Sequence, residues 1–319
     1  MKIRNLCSLA IIAVALTSAA ASNAGDIEHG YGALYVFGDS LSDPGNVYAL
    51  TGTSVLPPYT LIPTAPYAVG GFHFTNGKTW VERLAARLRL PNGGKPAFGK
   101  PGVYGNYAFG ASRAGGSESP LFSFAGQLDS FFADVAGEAR GDALHVVWFG
   151  SNDIRDALLA ASSDPTLATS QAIIAAAIQA EAQGIARLHA AGARKFLVLN
   201  APNVALSPIV ASLGPQSVAA ALLLTQAFNI GLADALDGLE GTLPGIEIAR
   251  FDVFALLSSL AANPKAFGIH NTTDPCIRPG ETTRVYCSGR NRYLFWDSIH
   301  PTAAAHRLLA RAVADEFRR

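Results

Sequence analysis

Charge is scarce in this chain. Asp, Glu, Lys and Arg together make up 15% of 319 residues, while 50% are hydrophobic, a composition that argues against disorder. Neither sign is in surplus, with 24 basic and 24 acidic residues, and no Lys/Arg cluster could track a phosphate backbone. Nucleic acid is therefore not an expected partner. Cysteine is nearly absent, with three in all. There is no internal repeat, and no linker divides the chain, which is long enough to bury a sizeable core.

Two motifs are also missing. No Gly-x-Ser-x-Gly occurs, so the nucleophile elbow of α/β-hydrolases is absent. The segment Phe72-His73-Phe74-Thr75-Asn76-Gly77-Lys78-Thr79 fails as a phosphate-binding loop, because Phe72 stands where the first Gly is needed.

What is present begins with a leader. Lys2 and Arg4 precede the apolar stretch Leu6 to Leu16, and small residues follow through Ala24. This reads as a secretory signal peptide, too short for a membrane span, with a retained anchor as the weaker alternative. Cleavage after Ala21 or Ala24 fits, the second being preferred. That makes residues 1–24 the leader and 25–319 one domain, exported to the periplasm or the medium. Cys7 would leave with the leader. Cys276 and Cys287 then form an even pair in an exported protein, for which a disulfide is the expectation. A zinc site is the weaker reading, since no His lies at ligand spacing from either cysteine.

Strand-like apolar runs recur at Ala33–Phe37, Val103–Phe109, His145–Phe149, Lys195–Leu199 and Ile246–Phe251. Helical periodicity fills Asn76–Leu90, Thr166–Ala191, Pro215–Leu239 and Thr302–Phe317. The alternation predicts an α/β fold, a three-layer α/β/α domain with a mostly parallel five-stranded sheet. Three long Gly-, Pro-, Ser- and Thr-rich segments, Val47–Thr75, Ala111–Phe124 and Ala261–Leu294, are expected as binding loops or lids. Tyr67, Phe72, Phe74 and Trp80 could line a pocket or pack the core equally well.

The first strand ends in Gly38-Asp39-Ser40-Leu41, which places a hydroxyl at the carboxyl edge of the sheet, where open α/β sheets keep their sites. A serine needs a base, and the base needs an orienting group. Of seven histidines, only His300 has a carboxylate three residues before it, Asp297, and a Pro-Thr just after. Taken alone the pair is weak, because Asp is favoured near a helix start in any case. Phe149-Gly150-Ser151-Asn152-Asp153 and Asn106-Tyr107-Ala108-Phe109-Gly110-Ala111 also end strand-like runs, where oxyanion donors could sit. Each has an ordinary alternative, a helix cap for Asn152 and a turn for Gly110.

Together, in this order, the four segments resemble the GDSL esterases and lipases of the SGNH hydrolase superfamily. The resemblance spans residues 33 to 317. The extended first block through Asp43-Pro44-Gly45-Asn46, and Tyr293-Leu294-Phe295-Trp296 before Asp297, look like the secreted phospholipase, haemolysin and cholinesterase-like branch. The resemblance implies a flavodoxin-like fold and a serine hydrolase needing no metal or organic cofactor. Ser40 matches the nucleophile, His300 the base, and Asp297 its orienter. The Ser40 and Gly110 backbone N–H groups and the Asn152 amide match the oxyanion hole. Many relatives read Gly-Gly where this chain has Gly110-Ala111, so either residue could supply the N–H.

The expected activity is hydrolysis of carboxylic esters, with lipid or (lyso)phospholipid acyl esters favoured by the branch. Short-chain, aryl or choline esters, or acyl transfer to an alcohol, are the alternatives. A non-catalytic binding protein would have no need of nucleophile, base and orienter together. The expected partner is the ester substrate, free or at a lipid surface, met by a monomer with no transmembrane segment in the mature chain.

Overall fold

The computed structural model describes residues 30–54, 64–116, 119–277 and 285–317. The expected leader and its cleavage point lie outside the described residues. At the centre is a four-stranded parallel sheet in the order β1 (Leu34–Gly38), β2 (Leu144–Trp148), β3 (Lys195–Leu199) and β4 (Glu247–Phe251). Val36 lies opposite Val146, Val146 opposite Leu197, and Leu197 opposite Ala249. Every residue of β2 is buried, as a strand covered by helices on both faces requires.

The helices are α1 (Asn46–Thr51), α2 (Ala65–Ala68), α3 (Trp80–Arg87), α4 (Phe124–Asp134), α5 (Ser151–Ala161), α6 (Ala168–Ala190), α7 (Pro208–Ser212), α8 (Pro215–Thr242), α9 (Val253–Ala262) and α10 (Ala303–Glu316). The pleat sends alternate strand residues to opposite sides. Phe37, Val147, Phe196 and Val198 join Phe124 of α4, Ile185 of α6 and Phe228 of α8. Val36, Val146, Leu197 and Leu199 join Trp80 and Leu84 of α3 and Val313 of α10. Three layers result.

The expected fifth strand is corrected. Residues 103–109 run beside β1 without forming a regular strand. Val36 donates to Gly105, Tyr107 to Val36 and Phe109 to Gly38, giving an isolated bridge at Asn106. The Gly38 N–H, which would continue that ladder to the Tyr107 carbonyl, turns instead to the Gln127 side-chain oxygen at 3.0 Å. The segment Ala261–Leu294, expected as loop, contains β5 (Asn271–Pro275), which pairs with β6 (Tyr293–Phe295) in a second small sheet. Cys276 and Cys287 are joined by a disulfide beside it.

Residues 196–233 hold no Asp, Glu, Lys, Arg or His. Much of that run is α8, which by length and composition alone is apolar enough to cross a membrane. In this fold α8 buries Phe228, Leu232 and Leu236 in the core, while Leu223 and Ile230 face outward.

Candidate active site

β1 delivers Ser40 to the carboxyl edge of the sheet. The turn that carries it is tightened by the Ser42 and Asp43 N–H groups donating to the Asp39 carbonyl. Asp39 is buried, and its own carboxylate accepts from the Leu41 N–H at 2.9 Å. Burial pushes that carboxyl up to about 7, against the pull of the Leu41 bond and the His300 charge.

His300 arrives from a short turn between β6 and α10. That turn is closed by Trp296 N–H to the His300 carbonyl and by Thr302 N–H to the Leu294 carbonyl. Thr302 then caps α10 through its hydroxyl. The imidazole Nδ1 lies 2.6 Å from Oδ2 of Asp297, and Nε2 lies 2.8 Å from Oγ of Ser40. The carboxylate has no proton to give, so Nδ1–H donates to it and Nε2 accepts the serine O–H. Asp297 is fully buried, and its other oxygen, Oδ1, accepts the N–H groups of Ile299 at 2.8 Å and His300 at 2.7 Å. Burial alone would raise its carboxyl. The His300 charge and these hydrogen bonds hold it below the ordinary carboxylate range. Sequence reasoning missed one contributor, Tyr67, whose hydroxyl donates to Asp297 Oδ2 at 2.9 Å.

The two further expected segments converge on Ser40. α5 starts from Gly150, whose φ of 100° suits glycine. A Cβ at Gly150 would come within 2.6 Å of the Phe228 ring. Asn152 is therefore no cap. It sits in the first turn of α5 and gives one amide hydrogen to the Ser112 carbonyl at 2.8 Å. An amide carries two, so the second remains for another acceptor. Asp153 beside it accepts from the Ala114 and Gly115 N–H groups and so pins the loop after Ala111.

The Gly110 N–H does not face the serine as a free donor. It donates to Asp43 Oδ2 at 2.9 Å, and the Asp43 carboxylate also takes the N–H groups of Gly45, Asn46 and Val47. Ala111 follows at φ 64°, a left-handed conformation that favours glycine, and lines the same cavity as Ser40 and Asn152.

Ser40, Asn152 and His300 share the wall of a cavity of about 620 Å³. Most of that wall is aliphatic, from Leu158 and Leu159 of α5, Ile209 and Val210 of α7, and Leu256 and Leu260 of α9. Of the four aromatic candidates, Phe74 lines this cavity and its ring stands 5.2 Å from that of His300. Trp80 is a core residue that donates to Ser42, and Phe72 stacks on Tyr48. The arrangement offers a polarised hydroxyl at the wall of a large apolar chamber, of the size and chemistry that hold small organic ligands.

Comparison with known proteins agrees with the geometry. Residues 34–313 match the family model described as GDSL-like Lipase/Acylhydrolase. The chain is similar to "GDSL esterase/lipase At1g74460" of Arabidopsis thaliana, 29% identical over 89% of this chain and 86% of that protein. It is also similar to "GDSL esterase/lipase At4g16230" of the same plant, 28% identical over 87% and 85%. "GDSL esterase/lipase 7" of Arabidopsis thaliana matches at 26% over 87% and 86%. The chain belongs to the GDSL-like lipase/acylhydrolase family and is a carboxylic ester hydrolase.

Proposed function

We propose that this protein is an exported serine esterase that cleaves lipid acyl esters through an acyl-enzyme on Ser40. The observation that carries the reading is the continuous chain of short contacts from Ser40 through His300 to Asp297, opening on an apolar cavity. His300 takes the Ser40 proton as Oγ attacks the ester carbonyl, then returns it to the departing alcohol. Water attacks the acyl-enzyme in the second half, with His300 again as base. The negative charge on the carbonyl oxygen is received by the Ser40 N–H and the remaining Asn152 amide hydrogen. The third donor is the Ala111 N–H, since that of Gly110 is held by Asp43. Leu158, Leu256 and their neighbours take the acyl chain out of water, which favours lipid substrates over short-chain esters.

The test is an activity profile across acyl lengths, with an organophosphonate label on the wild type and a Ser40→Ala control. Rates that rise with chain length, labelling of Ser40 and an inactive variant support the reading. A Ser40→Ala protein that keeps wild-type activity sinks it.

A further inference from the structure

Two guanidinium groups stand at the wall of this mostly aliphatic cavity, and the reaction as described uses neither. Arg113 and Arg155 line it beside Ser151, Asn152 and Asp156. Asp156 pairs with both. Arg113 reaches it through Nε at 2.5 Å and Nη2 at 3.2 Å, and Arg155 through Nη2 at 3.1 Å and Nε at 3.3 Å. One carboxylate against two permanent cations leaves one positive charge. Asp39 and Asp153 lie nearby and are buried, and burial pushes both carboxyls upward, against the pull of Arg155 on Asp39.

The two arginines differ in what they have left to give. Arg113 also spends Nη1 on the Ala111 carbonyl at 3.0 Å, so it braces the loop beside the serine. Arg155 makes no hydrogen bond through Nη1 among the described residues, and its side chain is 30% exposed. Helical spacing fixes where that donor stands. Asn152, Arg155 and Leu159 follow at i, i+3 and i+7 and share one face of α5. The axial rise from Asn152 to Arg155 is about 4.5 Å. A cation therefore sits about one helical turn beyond the amide that faces the ester oxygen, and aliphatic side chains begin a turn later.

We propose that Arg155, with its charge set by the Arg113–Asp156 pair, binds the phosphate of a single-chain phospholipid whose acyl ester Ser40 cleaves. The inference rests on the lipid-esterase reading and deepens it. A phosphate accepts in a plane that suits a guanidinium fork, and it is joined to the glyceryl ester oxygen through a few bonds, a span comparable to one helical turn. A neutral acylglycerol presents no anion at that distance. A quaternary ammonium alone would meet a like charge there, so recognition falls on the phosphate rather than on choline.

The test compares two substrates that share acyl chain and glycerol, 1-acylglycerol and 1-acylglycerol 3-phosphate, on the wild type, Arg155→Gln and Arg155→Lys. The wild type is expected to favour the phosphate ester in kcat/KM. Arg155→Gln should lose about tenfold or more on it, mainly in KM, with little change on the neutral ester. Arg155→Lys should recover part of the loss, and added salt should erode the wild-type preference. An equal loss on both substrates would mean that Arg155 only braces α5 and would overturn the proposal, as would a wild type indifferent to the phosphate. If wild type cleaves the neutral ester but not the phosphate ester, the headgroup inference fails and the esterase reading survives. If it cleaves neither, nor a chromogenic acyl ester, both fail.

Discussion

The Tyr67 hydroxyl donates to Asp297 Oδ2 at 2.9 Å, on the same oxygen that receives His300 Nδ1 at 2.6 Å. Asp297 thus takes four hydrogen bonds in a site with no exposure to water, two on each oxygen. Tyr67 is the one side-chain donor among them besides the histidine it helps to aim. Tyr67→Phe leaves the ring in its pocket against Trp296 and Cys276 but removes this bond. The variant should lose about 1.5–3 kcal/mol of stability, the usual cost of a bond to a charged group. Its kcat should fall by about tenfold with KM nearly unchanged, read by steady-state kinetics and denaturant unfolding.

Asn152→Ala removes a neutral amide that touches no part of the triad. If that amide receives the oxyanion, kcat falls by about 10²–10³ while substrate binding is retained. A loss below about threefold would assign the amide to holding the Ser112 carbonyl alone.

The Asp43 carboxylate gathers four backbone N–H groups from two segments that are distant in sequence, residues 45–47 and Gly110. Asp43→Ala would leave those donors buried without an acceptor, at about 1–3 kcal/mol for each that finds no water. The expected result is a large drop in melting temperature. Activity should be lost even below the new melting point, because the loop bearing Ala111 is no longer held beside Ser40.

Ala111→Gly is a gain by the same geometry. The left-handed φ of 64° costs an alanine about 1–2 kcal/mol. Glycine removes that strain but frees the unfolded chain, which takes back about 0.5–1 kcal/mol. Net stabilisation of about 0.5 kcal/mol is expected in denaturant unfolding, with activity preserved, since a backbone N–H serves in either residue.

Two buried groups outside the Ser40–His300–Asp297 chain of contacts should give pH dependences of opposite sign. His306 is held neutral, its pKa lowered to about 3 by burial and by the charges of Arg83, His300 and His73. The unfolded chain binds this proton first, so wild-type stability is lost as pH falls from 6.5 towards 3. His306→Gln should lack that loss, gaining on the wild type by about 1.4 kcal/mol per pH unit in that window. Glu181 of α6 is fully buried, and neither carboxylate oxygen has a hydrogen-bond partner among the described residues. Burial raises its pKa well above 4.5, so the native state holds the proton and loses stability as pH rises beyond that value. Glu181→Gln should gain on the wild type with increasing pH. Thermal unfolding of each variant against wild type at matched pH separates these effects from other titrating groups.

Reading strands and helices from periodicity worked where the pattern was long or wholly apolar. β1 to β4 lie within a residue of the expected runs, and α6, α8 and α10 within three at each end. It failed where side-chain chemistry overrode the pattern. Residues 103–109 look like a strand, but the Gly38 N–H that would pair with the Tyr107 carbonyl is taken by the Gln127 side chain, which interrupts the ladder. β5 has the composition of a turn, Asn-Thr-Thr-Asp-Pro, and pairs with β6 beside the disulfide.

The sequence by itself determined the family of this protein and with it ester hydrolysis. Ser40, His300 and Asp297, the nucleophile, base and orienter we propose, were legible as candidates because four blocks, each weak alone, stand in the family's order. Tertiary structure alone decided which groups complete the site. It brought Tyr67 to Asp297 across 230 residues and turned the Gly110 N–H towards Asp43. It also set Arg155 beside a chamber whose walls come from α5, α7 and α9. Those outcomes depend on how separate elements pack in space, which no local pattern of residues encodes.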